Sequence, residues 1–187
     1  RSCTGHAFTL HEPLRVERLR ANWFSVSGTP ADCVYLGALE LCPKPDLVIS
    51  GINHGYNLGT DIFYSGTVAG AVEAALRGIP AIAVSMGTGA GADFTVAAAL
   101  CQALVVTTRS LSWPRGVVLN INVPGPEHLP SGARCASMAW TNLGRYNYRE
   151  QVEVRQNPRG QTYYWIGGPP LPNRDPPGTD ADAVHRG

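Results

Sequence analysis

The sequence predicts an α/β protein built on a mainly parallel sheet. Three observations predict it. Short apolar runs of buried-strand type, 46–50, 79–85 and 117–123, recur along the chain. Helical segments lie between them on short connections, the pattern of strand–helix–strand crossovers. Finally, 187 residues with 44% hydrophobic and 16% charged content suffice for one sizeable core.

The elements follow in order. Residues 10–26 read as extended, with Trp23-Phe24-Ser25-Val26 the best strand. A helix start comes next: Thr29 is a suitable N-cap, Pro30 fits the first helical position, and Asp32 sits where a carboxylate meets unpaired N–H groups. This helix is predicted to run to Leu41 and to stop before Pro43 and Pro45. The strand 46–50 leads into a glycine-rich loop with Gly51, Gly55 and Gly59, and then into a small-residue helix from Ser65-Gly66-Thr67 to Arg77, closed by Gly78. The strand 79–85, a helix over 93–109 and the strand 117–123 complete the core. Beyond Pro124 the texture changes: 136–148 and 151–166 read as strands or a hairpin arm, and 167–178, with five prolines, excludes a regular element. A core over residues 1–125 and a β-rich extension over 126–187 are the expected units.

Composition excludes several functions. Net charge is +1, with no lysine- or arginine-rich run, so neither a nucleic-acid duplex nor an acidic membrane surface is an expected partner. The uncharged apolar stretch 94–108 is shorter than the roughly 20 residues of a bilayer span, and no signal peptide is visible. The five cysteines are scattered without a C-x-x-C pair, which argues against a zinc ribbon or a disulfide scaffold and for reduced thiols in the cytoplasm. The first residue is Arg1, not methionine, so the chain reads as trimmed at its start.

In an open parallel sheet, ligands bind beyond the carboxyl ends of the strands. Asn53 follows an apolar strand there; its amide either ligates a hard cation, holds a substrate hydroxyl, or caps its own loop. The Ser65-Gly66-Thr67 turn opens a helix whose unpaired N–H groups suit a phosphate, or is an ordinary cap on a closely packed helix. Gly87-Thr88-Gly89-Ala90-Gly91-Ala92 fits a dinucleotide fingerprint, but 107–116 lacks the acidic residue that would hold a ribose. P-loop and nucleophile-elbow motifs are missing, and the histidines show no paired-ligand spacing.

Seven stretches then carry a resemblance. Residues 45–59 (PDLVISGINHGYNLG), 64–69 (YSGTVA) and 78–85 (GIPAIAVS), together with 28–34, 119–124, 157–160 and 178–184, resemble the SurE family of stationary-phase survival proteins. The resemblance spans nearly the whole chain. It implies a Rossmann-like sheet with helices on both faces, and a metal-dependent phosphomonoesterase that hydrolyses nucleoside 5′- or 3′-monophosphates. It also implies a divalent cation, Mg²⁺ or Mn²⁺, held by two adjacent aspartates, a serine and an asparagine. Ser2 and Asn53 fall on the last two and are the implied metal-binding and catalytic residues, with Cys3 replacing the family's usual glycine beside Ser2. Asn57, Ser65, Gly66 and Thr67 fall on the active-site surroundings and are assigned to the substrate phosphate.

The family's Asn-Asp-Asp-Gly block has no counterpart in the sequence, and the chain also stops where the family continues. The expectation is therefore a fragment trimmed at both ends, impaired in activity and weak in metal binding. Asp32, explained by a helix start, and Asp61, explained by its loop, do not replace the missing pair. The competing reading is a non-catalytic module that oligomerises through the 151–166 arm. The resemblance implies a homodimer or homotetramer in either case.

Overall fold

The computed structural model describes residues 4–42, 44–89, 93–108, 110–125, 138–145, 151–168 and 175–186. Strands β1 (Val16–Arg20) and β2 (Trp23–Val26) form an antiparallel hairpin. Helix α1 (Pro30–Leu36) begins with the predicted capping box: Asp32 N–H donates to Thr29 Oγ1, and Asp32 Oδ2 accepts from Thr29 N–H. The predicted helix to Leu41 is divided, because α1 gives way to a π-helical turn, Gly37–Leu41.

The central sheet is parallel, in the order β3 (Val48–His54), β4 (Ala81–Met86), β5 (Val118–Val123). Helix α2 (Gly66–Leu76) and helix α3 (Phe94–Thr108) cover it. Period-two alternation along the fully buried β4 separates the two faces. Ala81 and Ala83 pack with Val68, Ala71 and Ala74 of α2, whereas Ile82, Val84 and Met86 pack with Ala97 and Leu100 of α3. Helices therefore lie on both faces, as the resemblance implies. Small residues let α2 sit close on the sheet: a Cβ at Gly70 would stand 2.7 Å from Ser50 Oγ.

The N-terminal segment is fastened over α1 and α2. Thr9 donates to both oxygens of Asp32 from its backbone N–H (3.0 Å) and its hydroxyl (2.7 Å), and Thr29 Oγ1 donates to Ala7 O. His6 Nε2 lies 2.8 Å from the buried Glu73 carboxylate, which also accepts from Arg77 at 2.6 Å. Burial pushes the Asp32 carboxyl up, but the hydrogen bonds from Thr9 and Thr29 outweigh it and hold the group below its ordinary 3.8.

Strands β6 (Gln151–Gln156) and β7 (Thr162–Gly167) form the antiparallel C-terminal hairpin. The extended reading of 136–148 lies partly outside the described residues. Within 138–145 the backbone forms one isolated bridge, Asn142 to Thr179, instead of a strand. Helix α4 (Asp180–Arg186), which the sequence reading left without an element, docks Ala181 and Val184 on Leu58. Among the described residues no helix is long and apolar enough to cross a membrane. Cys33, Cys42 and Cys101 are free thiols, and burial raises the first and third above the ordinary thiol range, which keeps them protonated.

Candidate functional site

The site lies at the carboxyl ends of β3, β4 and β5, on the face covered by α2. A register break places Asn53 there. Ser50 pairs with Ala83, but Asn53, not residue 52, pairs with Ser85, so β3 carries one residue more than β4. An extra residue reverses the alternation beyond it. Ile52 consequently packs with the α3-side core, and Asn53 turns to the α2 side with Ser50 and Ser85. Gly51 makes the break possible. Its φ is +135°, and a Cβ there would overlap the Val84 carbonyl oxygen.

The Asn53 amide bridges two segments. Nδ2 donates to Gly55 O at 2.8 Å, and Oδ1 accepts from Thr67 Oγ1 at 3.2 Å. Since the Gly55 carbonyl can only accept, it fixes which end of the amide is nitrogen and aims Oδ1 at α2. Thr67 lies in the first turn of α2, capped by Ser65, whose Oγ accepts from Val68 N–H at 3.1 Å. The structure thus brings together Asn53, Thr67 and the Ser65-Gly66 turn. A neutral strand end facing the positive end of an eleven-residue helix suits an anion.

Ser2 lies outside the described residues. Thr4, two residues on, sits against this turn: its Oγ1 would be 2.8 Å from a Cβ at Gly66, and Gly5 N–H donates to Tyr64 O at 3.0 Å. Asn57 is buried, and its bonds run to the scaffold. Its Nδ2 donates to Ser85 Oγ at 2.6 Å, its N–H to Asn122 Oδ1 at 2.8 Å, and its carbonyl accepts from the side chains of Asn120 and Asn122. Asp61 lies in a 3₁₀ turn, Gly59–Phe63. Asp32 is the helix cap described above.

Sequence reasoning places Ser85 and residues 120–124 at strand ends where a ligand would bind, but assigns no role to Asn120, Asn122, Ser85 or Asp180. A signal existed for the first two: in Leu119-Asn120-Ile121-Asn122-Val123 the apolar side chains alternate onto the α3-side core, which leaves both amides on the α2 face. Asp180 lies in the 178–184 stretch of the resemblance, but nothing local signals what its carboxylate bonds to. Its carboxylate accepts from Gly59 N–H, Gly144 N–H and Ala181 N–H, joining three segments distant in sequence.

The described donors do not make a divalent-cation shell by themselves. A hard cation takes about six oxygens, carboxylates prominent among them. Asn53 offers one neutral oxygen, and among the described residues no group of three or more His, Cys, Asp or Glu gathers anywhere.

Residues 1–150 match the family model of the survival protein SurE. A protein named 5′-nucleotidase SurE from Geobacter sp. (strain M21) is 50% identical over 188 residues, covering 100% of this chain and 74% of its own length. One of the same name from Myxococcus xanthus is 44% identical, covering 99% of this chain and 69% of its own. The crystal structure of the SurE protein from Aquifex aeolicus superposes with a TM-score of 0.78 at 37% identity, over 98% of this chain and 73% of that one.

Proposed function

The chain belongs to the SurE family, and from that premise we propose that it is a nucleotidase, hydrolysing nucleoside 5′- or 3′-monophosphates to nucleoside and phosphate. The observation that carries this reading is the Thr67–Asn53 hydrogen bond, which joins the helix N-terminus to the strand-end amide at one place. Nucleotidase names among the relatives support the substrate class. In the proposed reaction a water oxygen bonds to phosphorus as the ester P–O bond breaks, and a proton from the water ends on the departing nucleoside oxygen. Ser65, Gly66 and Thr67 hold the phosphoryl oxygens through the first turn of α2. Asn57 sets the loop beside them. Hydrolysis of such esters is among the slowest uncatalysed reactions.

Phosphate is a dianion and the donors described around Asn53 are neutral, so the proposal includes a divalent cation, Mg²⁺ or Mn²⁺, with Ser2 and Asn53 among its ligands. Carboxylates would have to complete its shell. For that reason the 187-residue chain by itself is expected to bind Mn²⁺ weakly and release phosphate from AMP slowly, while a form extended by an Asp-Asp-bearing N-terminal segment is fast. Phosphate release with Mn²⁺ compares the two, and equal rates would refute the dependence on added carboxylates. In the extended form, Asn53→Ala is expected to lower turnover by roughly 10–100-fold, the scale of a lost metal-site partner. Unchanged turnover would remove Asn53 from the site.

The proposal also includes self-association, as a homodimer or homotetramer, through the C-terminal hairpin. Register places Val152, Val154, Tyr164 and Ile166 on one face of it, all exposed, with Ile166 at 90%. A solvated apolar face of this kind marks an interaction surface. It is also what favours the second reading, an assembly module without catalysis. Sedimentation of Ile166→Glu is expected to show a lighter species than the parent chain. A parent that sediments as a monomer would discard the arm as an interface. The free thiols fit a reducing compartment, so we place the activity in the cytoplasm.

A further inference from the structure

We propose that Asn122 is a positioning residue that fixes the orientation of the Asn53 amide through the backbone of the 55–57 loop. The inference rests on the nucleotidase reading for its catalytic consequence, not for its geometry. Asn122 treats residue 57 as a neighbouring strand would: its Oδ1 accepts Asn57 N–H at 2.8 Å, and its Nδ2 donates to Asn57 O at 3.0 Å. A side-chain amide thereby stands in for a ladder partner at residue 57. Asn120 Nδ2 adds a second donor to the same carbonyl at 2.9 Å, and Ser85 takes the Asn57 side chain.

The tether reaches Asn53 in two steps. Holding residue 57 holds the loop that begins at Gly55, whose N–H is bonded to Met86 O at the end of β4. The Gly55 carbonyl then accepts from Asn53 Nδ2 at 2.8 Å, which leaves Oδ1 on the side of Thr67. Without Asn122, Asn120, Ser85 and Met86 still anchor the loop, but the backbone of residue 57 is loosened, the Gly55 carbonyl is held less firmly, and nitrogen replaces oxygen toward Thr67 in part of the molecules. Asn122 does this without touching Asn53 or Thr67 in any described contact. Its own exposure to a substrate is not required.

The test begins with the 187-residue chain labelled with ¹⁵N and needs no turnover. In Asn122→Ala the Asn57 amide is expected to exchange with solvent at least about tenfold faster, since local opening governs exchange. The Asn53 side-chain NH₂ resonances are expected to move toward free-amide positions, while amides of α3 stay unchanged. Asn122→Asp keeps the acceptor for Asn57 N–H but loses the donor to Asn57 O. It is expected to preserve slow exchange at residue 57 with a smaller shift at Asn53, and it decides the matter if the alanine variant does not fold. Unmoved Asn53 resonances in the folded variants overturn the proposal, even if Asn57 exchanges faster. In the extended, carboxylate-bearing protein, Asn122→Ala is expected to lower kcat about tenfold in the parent and to add nothing in an Asn53→Ala background, the non-additivity of residues acting through one another. A full further loss in that background also overturns it. Absent turnover in the parent would instead strike the nucleotidase reading, leaving the resonance test to stand.

Discussion

An alanine at position 51 is expected to lower stability by about 4 kcal/mol and to remove Asn53 from the α2 face. Two costs add. A residue with a Cβ is strained at φ +135°, at about 1–3 kcal/mol for a backbone held in a glycine region. The new methyl group also overlaps the Val84 carbonyl oxygen, which is main chain and cannot rotate away, at another 1–3 kcal/mol or so for overpacking. Relief is available only by losing the extra residue from the β3 register. That slip would return Ile52 to the polar side and send Asn53 to the α3-side core. For a chain of this size the loss corresponds to a melting temperature roughly 8–16 °C lower. Calorimetry on Gly51→Ala checks the stability, and loss of the Thr67–Asn53 contact in the ¹⁵N spectrum checks the register. A variant with the parent's melting temperature and an unmoved Asn53 would show that the close approach at Gly51 is not tight.

The second large effect is expected at Asp32. The carboxylate is 2% exposed and accepts from the N–H and hydroxyl groups of Thr9 and from the N–H of Thr29. Asp32→Ala removes the capping box, worth about 1 kcal/mol, and leaves buried donors unpaired at about 1–3 kcal/mol each. A total near 3 kcal/mol is expected. The same bonds set a pH dependence. The folded carboxyl titrates below its ordinary 3.8, so the unfolded chain takes up the proton first as acid is added. The stabilisation is therefore complete above about pH 4 and lost as pH falls through the depressed folded value. Urea midpoints measured between about pH 2 and pH 6 should show this slope in the parent and lose it in Asp32→Asn. An unchanged slope in Asp32→Asn would mean that other carboxyl groups account for the acid sensitivity.

These two residues differ in how far the sequence announces them. Thr29, Pro30 and Asp32 form a start signal within four positions, and the capping box appears as read. Ser65 at the head of α2 is equally local. The loop reading of Gly51 is displaced, because β3 extends through it to His54. The glycine serves a bulge whose existence depends on the partner strand thirty residues on. Asn120 and Asn122 stand between these cases: their alternation with Leu119, Ile121 and Val123 is visible in the sequence, but not what their face meets. Helix α4 was obscured by brevity, being seven residues long and held by Leu58 and the Asp180 bonds rather than by a strong apolar stripe.

The amino-acid sequence alone determined the alternation of strands and helices, the two capped helix starts and the family resemblance. The first two are encoded in residues a few positions apart, where propensity and capping act, and the third in short motifs spread over nearly the whole chain. Tertiary structure alone decided that Asn53 faces Thr67, that Asn122 braces residue 57 and that Asp180 joins Gly59 to Gly144. Each of those depends on hydrogen-bond partners supplied by distant segments, and the first also on a one-residue register shift that exists only once β3 and β4 have paired.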